Sequence, residues 1–405
     1  MANILFLTNI YTHPAIPLYG STKVCEYFIH EWKGHGHNIK VVYNYIIYPK
    51  LFHLIAKKYS TFLGNYFPTV INSEYYNESF EYEYDDIKVL LNPIFKLFPK
   101  YKFSNPSLSN ASNKILDWLN KWNFKPDIII GHFLHPNIEL LPILSQSLNC
   151  KCAIILHGKF NKKRDDKLLN SNYKQIDFWG FRSYPIKESF SNYTDRISKE
   201  AQFMCFSGIP ENYINDHSWR KHNDNPPTKI LFVGNLISRK FPLAVLEAFH
   251  HSFHSNDSKL TFIGSGMQTK CLNKYIQKNK IEEHIIFKGR QSREDVHNEM
   301  ITNDIFALIS KDETFGLVYL EAMACGCIVI ASREEGMDGI IDDGNNGFLC
   351  EAGNANELEM IFTKIQNMNA FERQIISRNA IETAKLMTDK KMSILYLNNL
   401  LAKPR

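Results

Sequence analysis

The stretch Asp312-Glu313-Thr314-Phe315-Gly316-Leu317-Val318-Tyr319-Leu320-Glu321-Ala322-Met323-Ala324-Cys325-Gly326 sets two carboxylates around a Phe-Gly turn that opens an apolar run. The run predicts a helix beginning at Gly316 or Leu317, and Cys327-Ile328-Val329-Ile330-Ala331-Ser332 beyond it reads as a buried strand. The first turn of such a helix carries unpaired N–H groups and the positive end of the dipole, which suits an anion such as a diphosphate. A carboxylate repels phosphate but accepts hydrogen bonds from hydroxyls. Glu313 before the helix and Glu321 within it therefore suit sugar hydroxyls on either side of a phosphate. On spacing alone, Glu321 reads equally as a solvated residue of a surface helix. The Phe-Gly between the acids and the Glu-Ala-Met-Ala-Cys-Gly that follows favour a nucleotide-sugar site.

The same strand-loop-helix grammar runs through the chain. Asn3–Asn9 reads as a buried strand, followed by a loop with Pro14, Pro17 and Gly20, a helix over 22–33 and a strand over 38–43. Further strands are predicted at 88–91, 127–131, 152–156 and 202–207, with a helix over 109–122. A second series begins at Lys229-Ile230-Leu231-Phe232-Val233-Gly234 and adds strands at 259–263, 285–288, 305–309 and 327–331. Alternating β and α elements predict parallel sheets covered by helices, and 405 residues suit two domains. The expected division is 1–216, a polar linker 217–228 with two prolines, 229–369, and a closing helix over 370–402.

In open α/β sheets ligands gather at the carboxyl ends of strands. Gly234 ends one strand and is followed by Arg239-Lys240, a cation pair suited to clamping a diphosphate. Ile263-Gly264-Ser265-Gly266 and Phe287-Lys288-Gly289-Arg290 end the next two strands. His157 ends the strand 152–156, and His132 and His135 follow the strand 127–131.

The segment Glu313–Gly326 resembles the signature of family 4 of the retaining glycosyltransferases. The likeness is strong over about residues 229–365 and traceable before them. It implies an α/β chain of two Rossmann-like doubly wound domains facing a cleft, the GT-B architecture. It implies donor binding by Gly20, Ser21, Gly234, Arg239, Lys240, Gly264, Gly266, Arg290, Phe315, Gly316, Leu317 and Glu321. Glu313 would hold the donor sugar's hydroxyls, Glu321 the ribose, Lys240 the diphosphate, and His157 would sit near the transferred sugar. His132 and His135 are candidates for the acceptor pocket. The C-terminal helix would cross back to the first domain. Three positions depart from the pattern: Asn235 stands where an Arg is usual, Phe241 where a Gly is usual, and Ser21 where a second Gly is usual. Arg239 is the candidate replacement for the missing guanidinium.

Retaining hydrolysis uses two carboxylates about 5 Å apart, whereas eight helical residues rise roughly 12 Å. Glu313 and Glu321 are therefore not a nucleophile–acid couple. With the retention that the resemblance implies, front-face attack is expected, with the leaving phosphate accepting the acceptor's proton. No Asp-x-Asp follows a strand, so no metal and no cofactor is expected; the substrate that the resemblance implies is a nucleoside-diphosphate sugar, expected to be UDP- or GDP-linked. Asp165-Asp166 and Asp342-Asp343 read as solvated loop acids.

Net charge is only +5, which gives no nucleic-acid footprint. Residues 1–220 carry 25 basic and 19 acidic side chains, against 22 and 23 in the remainder. The eight cysteines form no CxxC pair, a reduced, cytoplasmic pattern. Met1–Ile10 reads as a strand rather than a signal peptide. Leu51, Phe52, Leu54, Ile55, Tyr59, Phe62 and Leu63 follow helical spacing around Lys57 and Lys58, and 93–103 mixes aromatics with lysines. Such surfaces fit peripheral contact with the inner face of an anionic membrane, or core packing with snorkelling lysines. The leading expectation is transfer of a sugar to a glycan or lipid-linked acceptor in surface-polysaccharide synthesis. The rivals are a nucleotide-sugar 2-epimerase on a related scaffold and a non-catalytic sugar-nucleotide-binding subunit.

Overall fold

The computed structural model describes residues 1–16, 23–58, 74–98, 101–160, 175–193, 197–214, 225–255 and 257–401. Within them the chain forms two compact units. Unit 1 comprises 1–181, 189–205 and 393–405; unit 2 comprises 182–188 and 206–392. Gly20, Ser21, the segment 59–73, the acids Asp165-Asp166 and most of the expected linker lie outside the described residues.

Unit 1 is built on strands β1 (Asn3–Thr8), β2 (Asn38–Ile47), β3 (Phe80–Tyr84), β4 (Ile87–Phe95), β5 (Ile128–His132), β6 (Lys151–Leu156), β7 (Phe178–Phe181) and β8 (Gln202–Met204). Their spatial order is β3-β4-β2-β1-β5-β6-β7-β8, parallel throughout except for the β3–β4 hairpin. The inner strands are buried on both faces, as a parallel sheet covered by helices demands. The helix expected from residue 109 starts earlier, at Asn105. Ser104 caps it by accepting a hydrogen bond from the Ser107 N–H, and Pro106 sits in its first turn.

Unit 2 carries β9 (Lys229–Val233), β10 (Lys259–Ile263), β11 (Ile285–Gly289), β12 (Ile305–Ala307), β13 (Ile328–Ser332) and β14 (Phe348–Cys350), all parallel, in the order β11-β10-β9-β12-β13-β14. Strand order reverses between β9 and β12, the switch point where an open α/β sheet leaves a crevice. In unit 1 the reversal lies between β1 and β5.

The closing helix is two helices, Ala370–Leu386 and Asp389–Leu401. Neither Gly nor Pro marks the break. It is made by pairing: the Ile209 N–H donates to the Met387 carbonyl at 3.1 Å, and the Asp389 N–H donates to the Ile209 carbonyl at 2.8 Å. Residues 393–401 belong to unit 1, where Tyr396 and Leu400 join the core of Phe6, Phe28 and Trp32. Among the described residues no helix is long and apolar enough to cross a membrane.

Candidate active site

In unit 2 the loops that leave β9, β10 and β11 lock together through backbone atoms. The Leu236 N–H donates to the Ser265 carbonyl (3.0 Å), the Gln268 N–H to the Leu236 carbonyl (2.9 Å) and the Gly264 N–H to the Gly289 carbonyl (2.7 Å). Gly264 has φ of +136°, and a Cβ there would lie 1.9 Å from the Gly234 carbonyl oxygen. A Cβ on Gly266 would lie 2.3 Å from the Leu236 carbonyl oxygen. These two glycines exist for close approach of backbones. Arg290 is exposed, and its Nε donates to Ser265 Oγ at 3.0 Å.

The Lys240 side chain folds over Gly234, where a Cβ would stand 3.1 Å from Nζ. Nζ is 3.5 Å from Glu313 Oε2. The pair bridges the β9 and β12 loops across the switch point. Ser310 Oγ donates to the same carboxylate oxygen at 3.3 Å. Arg239 also reaches the β12 loop. Its Nη1 donates to the Lys311 carbonyl (3.2 Å), and the Lys311 N–H donates back to the Arg239 carbonyl (2.7 Å). Arg239 thereby stitches the two loops together and lies 3.8 Å from Glu313 Oε2. Asn235 is exposed.

The helix after the Phe-Gly turn spans Leu317–Ala324, with Gly316 at its N-cap at φ +88° and no side chain capping it. Only a glycine fits that cap, because a Cβ would fall 2.4 Å from the Tyr319 ring. Tyr319 is buried. Its hydroxyl donates to the Leu308 carbonyl at 2.7 Å and lies 3.1 Å from Ser310 Oγ. Burial, with Glu313 adding to it, pushes that phenol well above its ordinary pKa, so it is a fixed neutral donor. Phe315 is buried, 5.8 Å from the Phe206 ring with the Arg182 guanidinium over its face. Gly316 and Leu317 leave backbone open at the tip.

Glu321 is 8% exposed and is not solitary. Arg293, at the start of the helix Arg293–Thr302, donates to Glu321 Oε1 from Nη2 at 2.6 Å and from Nε at 3.0 Å. The guanidinium also stacks over Tyr213, as does the His297 ring. His297 is pushed below its ordinary pKa by burial. Glu335 is a second partner that sequence reasoning missed. It is buried and accepts the Glu313 N–H at 2.8 Å, fixing the loop that carries Glu313.

In unit 1, His157 follows β6 and is half-buried, its ring stacked on Phe133 at 4.0 Å. His157 Nε2 is 3.0 Å from His132 Nδ1, and His132 Nε2 is 3.0 Å from the Tyr396 hydroxyl. The expectation that His132 lines an acceptor pocket is corrected. It is wholly buried, stacked on Phe6 at 4.7 Å, with a ring nitrogen toward each of two side chains. What it can do is orient His157. His135 pairs with Glu139 at 2.8 Å and keeps part of its surface. A buried amide chain supports this end of the sheet: Asn92 donates to Asn44 Oδ1 (3.1 Å), Asn44 to Asn137 Oδ1 (2.8 Å), and Asn137 to the His132 carbonyl (2.5 Å). Tyr396→Phe leaves a buried imidazole nitrogen without its hydroxyl. It is expected to cost about 1–3 kcal/mol of stability, read as a lower denaturation midpoint at unchanged m-value. A midpoint equal to wild type would contradict the bond.

Among the described residues no group of three His, Cys, Asp or Glu side chains is placed to hold a metal. Lys240 stands beside the helix tip through Glu313.

Residues 214–383, the greater part of unit 2, match the family model described as Glycosyl transferases group 1. A glycosyltransferase of Methanocaldococcus jannaschii, itself uncharacterized, is 26% identical over 65% of this chain and 72% of that protein. A second uncharacterized glycosyltransferase of the same organism is 25% identical over 78% of this chain and 84% of that protein, while three further curated relatives align over 24–42% of their own length. The fold is shared with HepE of Anabaena, solved with UDP (TM-score 0.70, 16% identity, 99% of this chain and 100% of that one). It is shared also with the lipopolysaccharide outer core galactosyltransferase WaaB (TM-score 0.69, 17% identity, 99% and 100%). The chain therefore has the GT-B fold, and family match and relatives together support glycosyltransferase activity.

Proposed function

We propose that this protein is a retaining glycosyltransferase of family 4 that moves a sugar from a nucleoside diphosphate to a glycan or lipid-linked acceptor. One observation carries the reading: Lys240 and Glu313 meet beside the uncapped helix tip at the switch point of unit 2. The diphosphate would lie on the N–H groups at Gly316-Leu317, with Lys240 turned to it. Glu313, thereby released from Lys240, would accept hydrogen bonds from the sugar's hydroxyls. As the C1–O bond to the diphosphate breaks, negative charge grows on the leaving oxygen. Lys240 and the helix tip stabilise it there without reorganising. The acceptor oxygen bonds C1 from the same face, and its proton passes to the leaving phosphate. No metal enters this scheme. Acceptor recognition is assigned to unit 1, with His157 as the residue to test. A UDP-linked donor and a role in surface-polysaccharide synthesis agree with what HepE binds and what WaaB is named for.

The test is proton NMR of the anomeric product formed from an α-linked nucleotide sugar with and without EDTA. An α-linked product, made equally fast with EDTA, is the expected result. A β-linked product, or loss of activity with EDTA, would overturn retention or metal independence respectively.

The Arg293–Glu321 pair bears on the ribose. Arg293 engages Oε1, which orients the carboxylate for a diol. Wild type is expected to bind a ribonucleoside diphosphate about ten- to a hundredfold more tightly than its 2′,3′-dideoxy form. Glu321→Gln should erase most of that preference and Arg293→Ala part of it. A preference untouched by both substitutions would remove Glu321 from the ribose.

A further inference from the structure

We propose that unit 1 seats on an anionic phospholipid bilayer through the helix Lys50–Lys58 and the chain that leaves β4. An amphipathic helix of a globular unit turns its apolar stripe to the core. This helix does the reverse. His53 and Ala56 are buried, while Leu51, Leu54 and Ile55, one stripe at helical spacing, face out; Leu51 is 65% and Leu54 63% exposed. The stripe has apolar neighbours from a distant part of the sequence. β2 and β4 run parallel until Ile47 meets Phe95, and the Lys96 N–H donates to the Ile47 carbonyl at 2.8 Å. The two chains therefore emerge side by side. Phe52 packs edge-on against Phe98 at 5.9 Å, and Phe98 lies 5.5 Å from Tyr101. Phe95, Leu97, Phe98 and Tyr101 are all exposed.

Single exposed leucines are ordinary. A surface drawn from two segments and holding seven large exposed apolar side chains marks an interaction site. The flanking charge says what covers it. Three described lysines of the two segments lie by it: Lys50, Lys96 and Lys102. Lys50 and Lys102 are exposed beside the patch, and Lys96 Nζ lies 4.7 Å over the Phe103 ring. Exposed apolar side chains bordered by lysines match acyl chains beneath anionic headgroups. Seating on a bilayer is independent of the sugar chemistry proposed above, so either can fail alone.

Flotation of the full chain with vesicles tests it. Binding is expected to phosphatidylglycerol–phosphatidylcholine vesicles at low salt, with little to phosphatidylcholine alone and release at high salt. Leu51→Glu with Leu54→Glu should abolish it. Lys50→Ala and Lys102→Ala should each weaken it about fivefold. Met360→Glu, on an exposed position of unit 2, should leave it unchanged. The substituted side chains are exposed, so melting temperatures should be retained, which separates lost binding from lost fold. No flotation with anionic vesicles at low salt, or flotation indifferent to Leu51→Glu/Leu54→Glu, overturns the proposal. So does a concentration-dependent dimer abolished by that double substitution without any vesicle binding, which would make a second copy the occupant.

Discussion

Lys240→Ala is expected to lower kcat by about a hundred- to a thousandfold, the range for losing one preorganised stabiliser of transition-state charge. The geometry explains why the effect is so large. Lys240 Nζ is 3.5 Å from Glu313 Oε2, and its stem is pinned over Gly234. Without the ammonium, the Glu313 carboxylate stays beside the diphosphate position with Ser310 Oγ at 3.3 Å and the Arg239 guanidinium, which also donates to the Lys311 carbonyl, at 3.8 Å. The diphosphate then meets a carboxylate whose charge is poorly balanced, so ground-state affinity should also fall. The kcat loss should exceed the KM change, because charge on the leaving oxygen is greatest in the transition state. Lys240→Arg should recover part of the loss by restoring charge without the point geometry. Steady-state kinetics showing kcat within a few-fold of wild type for Lys240→Ala would remove this residue from the chemistry.

Gly264→Ala is expected to be the most damaging small substitution in unit 2. Two costs combine. The backbone at φ +136° disfavours an L side chain, and the added methyl would overlap the Gly234 carbonyl oxygen at 1.9 Å. Strained backbone and overpacking each cost about 1–3 kcal/mol. A unit of this size loses roughly 2–4 °C of melting temperature per kcal/mol, so a fall of roughly 5–20 °C follows. Gly289→Ala is the internal comparison. It too has positive φ, but nothing lies within 4 Å of the added methyl, so only the backbone cost of about 1–2 kcal/mol applies. Equal melting temperatures for the two variants would show that the β9 and β10 loops are not locked as described. The Gly264 variant should also bind nucleoside diphosphate more weakly, since Lys240 rests on Gly234.

Much of this was legible in the sequence because parallel-sheet physics writes it plainly. Buried strands such as Ile328–Ser332 are continuous apolar runs, and the Phe-Gly turn announces the helix tip. Elements that escaped were short or irregular. β3 alternates Tyr and Glu on a half-exposed edge, and β7 is a four-residue run, Phe-Trp-Gly-Phe, too brief to show a period. The break at Met387-Thr388 is imposed by pairing with Ile209 and leaves no local mark.

In the candidate site, positions were readable where a residue's place on a strand end fixed its surroundings, as for Lys240, Glu313 and His157. Partnerships were not. Arg293 with Glu321 and Glu335 with Glu313 join residues 28 and 22 apart, and His132 with Tyr396 joins residues 264 apart. No periodicity carries such pairs. His132 was misread for that reason: the sequence places it at a strand end but does not say that Phe6, His157 and Tyr396 enclose it. The helix Lys50–Lys58 shows the converse limit. Spacing gave the apolar stripe, but not the side of the helix that meets solvent.

The most direct measurement is isothermal calorimetry of the purified protein with UDP, GDP, ADP, CDP and dTDP, each with and without EDTA. One of them is expected to bind with unchanged affinity in EDTA, and Lys240→Ala to lose the binding. No binding by any diphosphate, or binding that Lys240→Ala leaves intact, would contradict a donor site at the β9–β12 switch point.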